Sequence, residues 1–330
     1  MKHQETIPQI NLSPLWNDPK TGIETVARDV RKAYTTLGFA YLTNHNIPKE
    51  IIQLGFDAAK EFHALPLDSK MTIKQNDCFR GYVPMNASTL RVSTEGSARK
   101  PNQLDAFVMG FEPEKNSTDY QHGLYFSGDN QWPADLPNFK LKLERYRDAV
   151  LELAMQFLQV LSIAMGMPKD HLNQFFAPPT YWLRLQHYPE QPKHIPENQF
   201  GIAPHSDYGC FTLLAQNDVE GLEVKHPEGH WITVPHIPNA FILNTGDMTK
   251  RWSNDTFLST PHRVINRSGK ERYSIPFFVE PNMHAIVDPL TSCISEEKPK
   301  LHEPVMYGDH FMNRIQGNYG LGKTRKDESK

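Results

Sequence analysis

The chain of 330 residues is 38% hydrophobic and 22% charged, which is typical of a globular protein with one large domain or two closely packed ones. Its net charge is only −3 and no basic stripe is visible, so we expect no nucleic acid partner. No stretch approaches 18 apolar residues and the first residues lack an apolar signal-peptide core, which argues against a membrane span and against secretion.

The three cysteines, Cys78, Cys210 and Cys293, are widely spaced along the chain. A disulfide framework or a thiolate zinc site needs closer pairing, so we expect free thiols in a reducing cytoplasm. The last residues, GKTRKDESK, are charged and poor in apolar side chains, which predicts a flexible tail over 313–330.

The first part of the chain carries a mixed, mostly helical pattern. Residues 21–38 predict a helix that Gly38 ends, and residues 39–43 predict a short strand. Residues 47–66 predict a second helix that ends before Pro66. The apolar face of the first helix is formed by Ile23, Val26, Val30, Tyr34 and Leu37.

Residues 70–133 are rich in Asn, Gly and Ser and predict irregular structure, with a strand at the end of the segment SARKPNQLDAFVMGF. A long helix is predicted over about 138–165, where apolar residues recur at helical spacing until Gly166 and Pro168. Its apolar stripe consists of Leu143, Tyr146, Val150, Leu153, Phe157, Leu161 and Ala164. We therefore expect a mixed N-terminal region over 1–135 and a supporting helix with its linker over 136–177.

After residue 178 the pattern changes to short β-rich runs separated by Gly, Pro, Asn and Asp. These runs are TYWLRLQHYP, CFTLLAQ, LEVKH, HWITVP, AFILNTG, HRVINR, RYSIPFFVEP and HAIVDP. Short strands at this spacing, with no helix between them, predict a sandwich or a jelly roll over 178–312. The fold class is thus α+β, and a generic β-sandwich binding module is the alternative at this point.

A histidine and an aspartate stand one residue apart before the second of these runs, in FGIAPHSDYGCFTLLAQ. In an extended chain the side chains of His205 and Asp207 point to the same face. The chain also holds the pairs His3–Glu5 and His226–Glu228, about as many as this composition gives by chance. The spacing alone is therefore weak evidence for a metal site.

A third potential ligand is His262, at the start of the run HRVINR. Two histidines and one carboxylate on one face form the facial triad that binds Fe(II) in non-haem oxygenases and leaves coordination positions open. The same donor set also suits Zn, Mn or Co. By itself, His262 is equally compatible with a strand-end histidine bonded to a neighbour.

Arg272 and Ser274 form another pair with i, i+2 spacing, inside the buried-looking strand RYSIPFF. An arginine in such a strand needs an anionic partner, which is either an internal carboxylate or the carboxylate of a ligand. Arg-x-Ser also occurs at Arg91 and Arg251, but only the pair at Arg272 follows directly on the His262 strand.

Taken in order, these motifs resemble the isopenicillin N synthase-like family of Fe(II)- and 2-oxoglutarate-dependent oxygenases. The resemblance covers nearly the whole chain and implies a distorted double-stranded β-helix, or jelly roll, as the core. Its landmarks are IPQINL, LGFAYLTNHNIP, RGYVP, NQWP, HYP, the His205-Ser-Asp207 motif, NTGDMTKRWSNDTFLSTPHRV and Arg272-Tyr-Ser274.

The resemblance also implies the roles of individual residues. His205, Asp207 and His262 would ligate Fe(II). Arg272 and Ser274 would bind the distal carboxylate of 2-oxoglutarate, whose other end would chelate the iron. In this family, such a pair makes 2-oxoglutarate the expected cosubstrate alongside O₂.

The resemblance also implies roles for Gln186, Tyr188 and Asp247, and the strand pattern implies one for His187. Tyr188 would hydrogen-bond near the cosubstrate carboxylate, and Gln186 would help to hold the cosubstrate from a position where related plant enzymes often have Asn. Both share one strand face, so His187 should point away from the site. Asp247, in the Gly-Asp turn before RWSN, is interpreted as structural and not as a ligand.

The implied reaction decarboxylates 2-oxoglutarate to succinate and CO₂ while a small-molecule substrate is hydroxylated, desaturated or cyclised. Alternatives at this stage are an oxidase of the same family that uses substrate- or ascorbate-derived electrons, a non-catalytic β-sandwich metal-binding module, and a zinc hydrolase. We expect a cytoplasmic monomer or weak homo-oligomer, with no nucleic acid or membrane partner.

The substrate pocket is expected between the N-terminal part, the loop around 80–108, and the strand faces near Phe211 and Phe277. Polar residues in and near this loop could contact the substrate, although each is more typical of a structural role. These residues are Arg80, Tyr82, Asn86 and Arg91.

Overall fold

The computed structural model describes residues 6–18, 20–88, 100–191 and 198–319, with side chains through residue 316. Its strands are β1 (Gln9–Asn11), β2 (Phe39–Thr43), β3 (Gly81–Val83), β4 (Asp105–Gly110), β5 (Thr180–Tyr188), β6 (Ile202–His205), β7 (Phe211–Gln216), β8 (Leu222–Lys225), β9 (Trp231–Thr233), β10 (Phe241–Thr245), β11 (His262–Val264), β12 (Arg272–Glu280), β13 (Ile286–Val287) and β14 (Val305–Met306). Its α-helices are α1 (Ser13–Asn17), α2 (Gly22–Thr36), α3 (Lys49–His63), α4 (Leu67–Met71), α5 (Thr118–His122), α6 (Phe139–Ala164), α7 (Asp247–Trp252) and α8 (Tyr307–Tyr319). None of the described helices combines the length and the apolar character that crossing a bilayer requires.

The long helices form where the sequence predicts them. α6 begins and ends within one residue of the predicted bounds, and it packs against α2, α3 and β12. α2 stops just before Gly38, whose φ of +73° is a left-handed conformation that glycine adopts without strain. A Cβ at Gly38 would also lie 2.6 Å from Thr260 Oγ1, so this position needs glycine for space as well.

The strands form two principal sheets and one short pair. The main sheet has the order β1-β2-β10-β7-β12-β5-β4-β3, the second sheet has the order β6-β11-β8-β9, and β13 pairs with β14. Each of the central strands β10, β7, β12 and β5 is antiparallel to the strand beside it. Strands from the N-terminal region, β1 to β4, therefore extend the same sheet that carries the core strands.

The two principal sheets pack face to face. Leu222, Val224 and Val264 of the second sheet belong to one buried cluster with Tyr188 and Ile242 of the main sheet. The opposite face of the main sheet packs on the helices, in a larger apolar core. This arrangement is the predicted jelly-roll core. Seven of the eight β-rich runs form strands of the two principal sheets, and the eighth, HAIVDP, forms β13 in the short pair. Contrary to the prediction of no helix between the runs, α7 lies between β10 and β11.

Four short strands of the described residues, β1, β3, β6 and β14, are absent from the sequence prediction, and β6 is the one that builds the site. β6 has only four residues and includes Pro204, which lacks a backbone N–H, so its local pattern does not favour a strand. It forms because it pairs with β11, where His205 lies opposite His262. That pairing places the two histidines side by side at the same end of the second sheet.

The last helix covers the first residues of the predicted tail. α8 continues through Tyr319, and Phe311 and Ile315 of this helix are buried in the apolar core. Residues 313–319 are therefore helical, because apolar side chains at helical spacing hold them against the core. Residues 320–330 lie outside the described residues.

Candidate active site

The predicted trio of His205, Asp207 and His262 comes together at one end of the jelly roll. His205 is the last residue of β6, Asp207 follows two residues later, and His262 is the first residue of β11. Their ligand atoms all lie within 4.8 Å of one another, and the two imidazole centroids are 4.3 Å apart. The structure therefore contains a His-Asp-His cluster of the kind that holds a divalent metal.

Backbone carbonyl groups fix the orientation of both imidazole rings. His205 Nδ1 lies 2.9 Å from the Ala203 carbonyl oxygen, and His262 Nδ1 lies 3.2 Å from the Thr260 carbonyl oxygen. When each Nδ1 carries the proton and donates to its carbonyl, each Nε2 keeps a free lone pair. Burial, followed by the facing His262, lowers the pKa of His205 to about 4, which favours this neutral form.

The two oxygens of the Asp207 carboxylate have different surroundings. Its Oδ2 accepts hydrogen bonds of 2.6 Å from Thr212 Oγ1 and from Asn244 Nδ2. Its Oδ1 lies 3.9 Å from His205 Nε2 and 3.7 Å from His262 Nε2, too far for hydrogen bonds. One carboxylate oxygen and two imidazole nitrogens thus converge without bonding to one another.

Burial alone would raise the pKa of Asp207. The facing histidines, His262 and His205, and the hydrogen bonds from Thr212 and Asn244 outweigh burial, so the pKa lies below its usual value. The carboxyl group is therefore anionic at neutral pH, as a metal ligand must be.

Arg272 and Ser274 lie on the inner face of β12, next to two strands. Arg272 is opposite Tyr188 of β5, and Ser274 is opposite both Gln186 of β5 and Gln216 of β7. Arg272 is only 1% exposed, and Nη2 donates a 3.1 Å hydrogen bond to Gln216 Oε1. Its Nε and Nη1 have no hydrogen-bond partner, and no carboxylate of the described residues forms an ion pair with it.

The residues around Arg272 form a small polar pocket. Tyr188 OH and Ser274 Oγ donate hydrogen bonds of 2.8 Å and 3.0 Å to Gln186 Oε1. The Arg272 Cζ lies 4.9 Å from the centre of the Tyr188 ring. Burial lowers the pKa of Arg272, because the charged guanidinium lacks a counter-ion inside the protein.

The predicted orientation of His187 away from the site is confirmed, and Asp247 makes structural contacts, as the sequence interpretation expects. His187 points to the opposite side of β5, where Nδ1 lies 2.8 Å from Asp105 Oδ1. Asp247 is the first residue of α7, and its carboxylate accepts from Ser259 Oγ at 2.7 Å and pairs with Arg314 at 2.8 Å. Neither residue belongs to the His-Asp-His cluster near β6.

A cavity opens beside the His205–Asp207 end of the jelly roll. Its lining is largely apolar and aromatic, with a few polar side chains between the two sheets and α8. The lining includes Leu104, Val108, Trp182, Arg184, Gln186, His205, Asp207, Phe278, Glu280 and Phe311. The lining includes the proposed metal ligands His205 and Asp207, as a substrate site requires.

Two expectations for this cavity are wrong. Phe211 and Phe277 lie in the apolar core, against Phe157 at 5.3 Å and Tyr181 at 5.4 Å between ring centroids. The reason is the two-residue period of a strand: Arg272 and Ser274 point inward, so Phe277 points to the helices while Phe278 lines the cavity.

The polar candidates near residue 80 have structural contacts. Arg80 donates to the carbonyl oxygens of Cys78 and Phe111, and Tyr82 OH donates to Asp105 Oδ2 at 3.0 Å. Asn86 accepts a hydrogen bond from Gln103. These three residues do not line the cavity, and Arg91 lies outside the described residues.

A second His-Asp-His cluster lies on the opposite side of β5. It consists of His63, Asp105 and His187, and the Asp105 carboxylate also contacts the Lys70 ammonium at 3.4 Å and the Tyr82 hydroxyl. A further cluster, His226, Glu228 and His230, lies in the exposed turn between β8 and β9, as the sequence predicts for His226. His3 lies outside the described residues.

Comparisons with known proteins identify the family. The model of the 2OG-Fe(II) oxygenase superfamily matches residues 179–281, and the model of the non-haem dioxygenase in morphine synthesis N-terminal region matches residues 7–135. The 2-oxoglutarate-Fe(II) type oxidoreductase hxnY of Emericella nidulans is 34% identical over 97% of this chain and 93% of its own length. This chain belongs to the 2OG-Fe(II) oxygenase superfamily.

Solved structures agree with this assignment of the oxygenase. A full-length Neurospora crassa protein, solved in complex with alpha-KG and thymine, has a TM-score of 0.83 at 27% identity, covering 96% of this chain and 98% of that chain. The JOX2 complex with 2OG, Fe and JA has a TM-score of 0.78 at 29% identity, covering 98% and 89%. The oxygenase is therefore a 2-oxoglutarate-dependent Fe(II) dioxygenase, and the alternatives of an oxidase without 2-oxoglutarate or a non-catalytic module are not supported.

Several residues of the oxygenase site are absent from the sequence prediction. Thr212 and Asn244 are neutral residues in two separate strands, and only the pairing of β7 with β10 places them opposite each other beside Asp207. Gln216, the partner of Arg272, is likewise brought in by strand register. Arg184 does carry a local signal, because it shares the inner face of β5 with Gln186 and Tyr188 by two-residue spacing.

Proposed function

We propose that His205, Asp207 and His262 bind the Fe(II) of this dioxygenase. We further propose that Arg272 and Ser274, with Tyr188 and Gln186 nearby, bind the distal carboxylate of 2-oxoglutarate. A small molecule in the adjacent cavity is then hydroxylated, desaturated or cyclised.

The donor set fits a divalent iron. Both Nδ1 atoms of His205 and His262 face carbonyl oxygens, so both Nε2 lone pairs are free toward Asp207 Oδ1. Thr212 and Asn244 hold the other carboxylate oxygen and keep the group oriented. Two imidazoles and one carboxylate on one side are the ligands of non-haem Fe(II) oxygenases, which supports this assignment.

The observation that carries the cosubstrate assignment is the buried charge of Arg272. A guanidinium at 1% exposure with two unpartnered nitrogens is costly, and a bound carboxylate removes that cost through charge-assisted hydrogen bonds. The hydroxyl groups of Ser274 and Tyr188 lie on the same face and can turn from Gln186 toward such a carboxylate. 2-Oxoglutarate is a five-carbon diacid, so its second carboxylate can bind the metal held by His205, Asp207 and His262.

When bound, Fe(II) would couple the decarboxylation of 2-oxoglutarate by O₂ to the oxidation of a substrate C–H bond. The protein contributes orientation and exclusion of water. Asp207 supplies the anionic ligand, Arg272 orients the cosubstrate, and Phe278 and Phe311 give the cavity an apolar wall. Thymine in the Neurospora crassa complex and JA in the JOX2 complex support a small-molecule substrate for this chain.

Some expectations from the sequence stay predictions. These are the cytoplasmic location, the monomeric or weakly associating state, the absence of nucleic acid and membrane partners, and the division of the chain at residues 135 and 177.

The proposal is tested by 2-oxoglutarate binding to the Fe(II)-loaded protein, measured calorimetrically without oxygen. Arg272→Gln should raise the Kd for 2-oxoglutarate roughly 10- to 150-fold, because a charge-assisted interaction of about 1.5–3 kcal/mol is lost. Iron content should be unchanged. In the absence of 2-oxoglutarate the variant should be at least as heat-stable as the wild type, since it no longer buries an unpaired charge.

Arg267→Gln is the matched control, because Arg267 lies five residues away in an exposed position and pairs with Glu223 at 2.8 Å. Its Kd for 2-oxoglutarate should equal that of the wild type. An Arg272→Gln protein that binds 2-oxoglutarate as tightly as the wild type contradicts the cosubstrate assignment.

A further inference from the structure

A half-buried arginine, Arg184, lines the cavity beside the metal cluster. It lies on β5 two residues before Gln186, and both side chains face inward. Among the described residues its guanidinium has no hydrogen bond and no ion pair, and its Nε is buried. The Phe278 ring, 5.6 Å from its Cζ, forms part of an apolar surround. Such a guanidinium has unused hydrogen-bonding capacity that a ligand can satisfy.

The two carboxyl groups in the same lining do not neutralise Arg184. Asp207 is held by Thr212 and Asn244 on one oxygen and faces the histidines with the other. Glu280 accepts a 2.9 Å hydrogen bond from the Cys210 backbone N–H, and burial raises its pKa to about 8. Among the described residues, neither Asp207 nor Glu280 forms an ion pair with Arg184, so its charge has no counter-ion in this lining.

Arg184 is also separate from the cosubstrate pocket. Arg272, Ser274 and Tyr188 do not line the cavity, whereas Arg184 does. Arg184 lies four residues along β5 from Tyr188, the partner of Arg272, which is roughly 13 Å of strand. The two arginines thus lie apart on one face of the main sheet, with Gln186 between them, which lines the cavity and also contacts Tyr188 and Ser274.

We propose that Arg184 binds a carboxylate of the primary substrate, whose apolar body lies against Leu104, Val108, Phe278 and Phe311. This inference rests on the proposed function, since it takes the cavity beside His205 and Asp207 as the place of oxidation. A single planar guanidinium pairs with a carboxylate through two parallel hydrogen bonds. A phosphate dianion would leave excess charge in this apolar lining.

The test uses the wild-type protein loaded with Fe(II) and 2-oxoglutarate without oxygen, so that no turnover occurs. Phenylacetate, 4-phenylbutyrate and octanoate are titrated calorimetrically, each beside its own primary amide. The amide has nearly the same shape and lacks the charge. At least one acid should bind at least tenfold more tightly than its amide.

Variants then assign the preference to one side chain. Arg184→Gln should weaken binding of that acid roughly 10- to 150-fold and leave the amide within threefold. Arg184→Lys, which keeps the charge but not the planar fork, should fall between the two. Arg145→Gln, on the exposed face of α6, is the control and should match the wild type for both ligands.

The outcomes separate this inference from the proposed function. If 2-oxoglutarate binds normally but the acids bind no better than the amides, or no acid binds, the role of Arg184 is wrong and the proposed function stands. If Arg184→Gln raises the Kd for 2-oxoglutarate as much as that for the acid, Arg184 is part of the cosubstrate pocket instead. If the wild type binds neither Fe(II) nor 2-oxoglutarate, both proposals are overturned.

Discussion

Two clusters of two histidines and one aspartate lie on opposite sides of the main sheet, and they are built from the same residue types. One cluster is His205, Asp207 and His262, at the mouth of the cavity. The other is His63, Asp105 and His187, between β5 and α3. In both, the potential ligand atoms lie within 4.8 Å of one another. Proximity of suitable ligands therefore does not distinguish a metal site from a structural network.

The difference lies in which lone pairs remain free. In the cavity cluster both Nδ1 atoms face carbonyl oxygens, and the Nε2 atoms stay 3.7–3.9 Å from Asp207 Oδ1. In the second cluster the imidazole nitrogens bond directly to Asp105, at 2.8 Å and 3.2 Å. The Lys70 ammonium already supplies a cation there. We therefore expect iron at the first cluster and stability from the second.

The largest expected effect comes from removing the anionic ligand of the cavity cluster. Asp207→Ala should lose measurable Fe(II) binding and reduce succinate release from 2-oxoglutarate at least a hundredfold, because two neutral imidazoles remain as the only ligands. Metal content and succinate release are the measurements. His187→Gln is the paired control and should retain iron. An Asp207→Ala protein with full activity would contradict the assignment of Asp207 as an iron ligand.

Removing the carboxylate of the second cluster should affect stability and not iron binding. Asp105→Asn should keep a full complement of iron but lower the free energy of unfolding by about 3–5 kcal/mol, since it leaves Lys70 without its buried counter-ion. Urea unfolding of the metal-free protein measures this loss. Unchanged stability together with loss of iron would show that the iron binds at the cluster of His63, Asp105 and His187.

The pH dependence of stability sharpens the same contrast. Burial raises the pKa of Asp105, but hydrogen bonds from His187 and His63 outweigh it, so the folded-state pKa lies well below its usual range. A carboxyl group with a depressed folded pKa stabilises the fold above its unfolded value of about 3.9, and this contribution is lost as the pH falls further. The stability difference between wild type and Asp105→Asn should therefore shrink below about pH 4.

Protonation of His63 should also lower the free energy of unfolding as the pH falls, but at a higher pH than protonation of Asp105. Burial lowers the pKa of its imidazole below the unfolded value of about 6.5, so the folded state binds fewer protons than the unfolded state. The free energy of unfolding of the metal-free wild type should decline as the pH falls below about 6.5. A stability that increases on acidification contradicts a buried, neutral His63.

The smallest predicted effect falls on β5, which lies between the two sites. Tyr188 faces the cosubstrate pocket and His187 faces Asp105, so substitutions at adjacent positions should act on different properties. Tyr188→Phe should raise the Kd for 2-oxoglutarate roughly three- to twelvefold, as loss of one neutral hydrogen bond of about 0.5–1.5 kcal/mol implies, without loss of iron. A large drop in iron content would contradict the register of β5 that places Tyr188 beside Arg272 and away from the iron ligands.

The sequence predicts the parts of this molecule that depend on local pattern. Helical spacing predicts α6 to within one residue, and the ordered motifs predict His205, Asp207, His262 and Arg272 as one group. The roles of these residues follow from the family resemblance and not from spacing, since His226–Glu228 has the same spacing in an exposed turn.

The remaining features depend on contacts between distant segments. Thr212 and Asn244 meet only through the pairing of β7 with β10. The network around Asp105 joins α3, α4, β3, β4 and β5, so no local pattern marks it. The error at Phe277 has a different origin, because the inward direction of Ser274 already implies that an odd-numbered neighbour points outward.

Iron is expected at the cluster of His205, Asp207 and His262 and not at the cluster of His63, Asp105 and His187. The most direct measurement is an anomalous difference map, collected at the iron absorption edge from crystals of the wild-type protein loaded with Fe(II) without oxygen. The expected result is one peak bounded by His205 Nε2, His262 Nε2 and Asp207 Oδ1, with no peak beside Asp105. A peak between His63, Asp105 and His187, or none between His205 and His262, would contradict this assignment of the iron site.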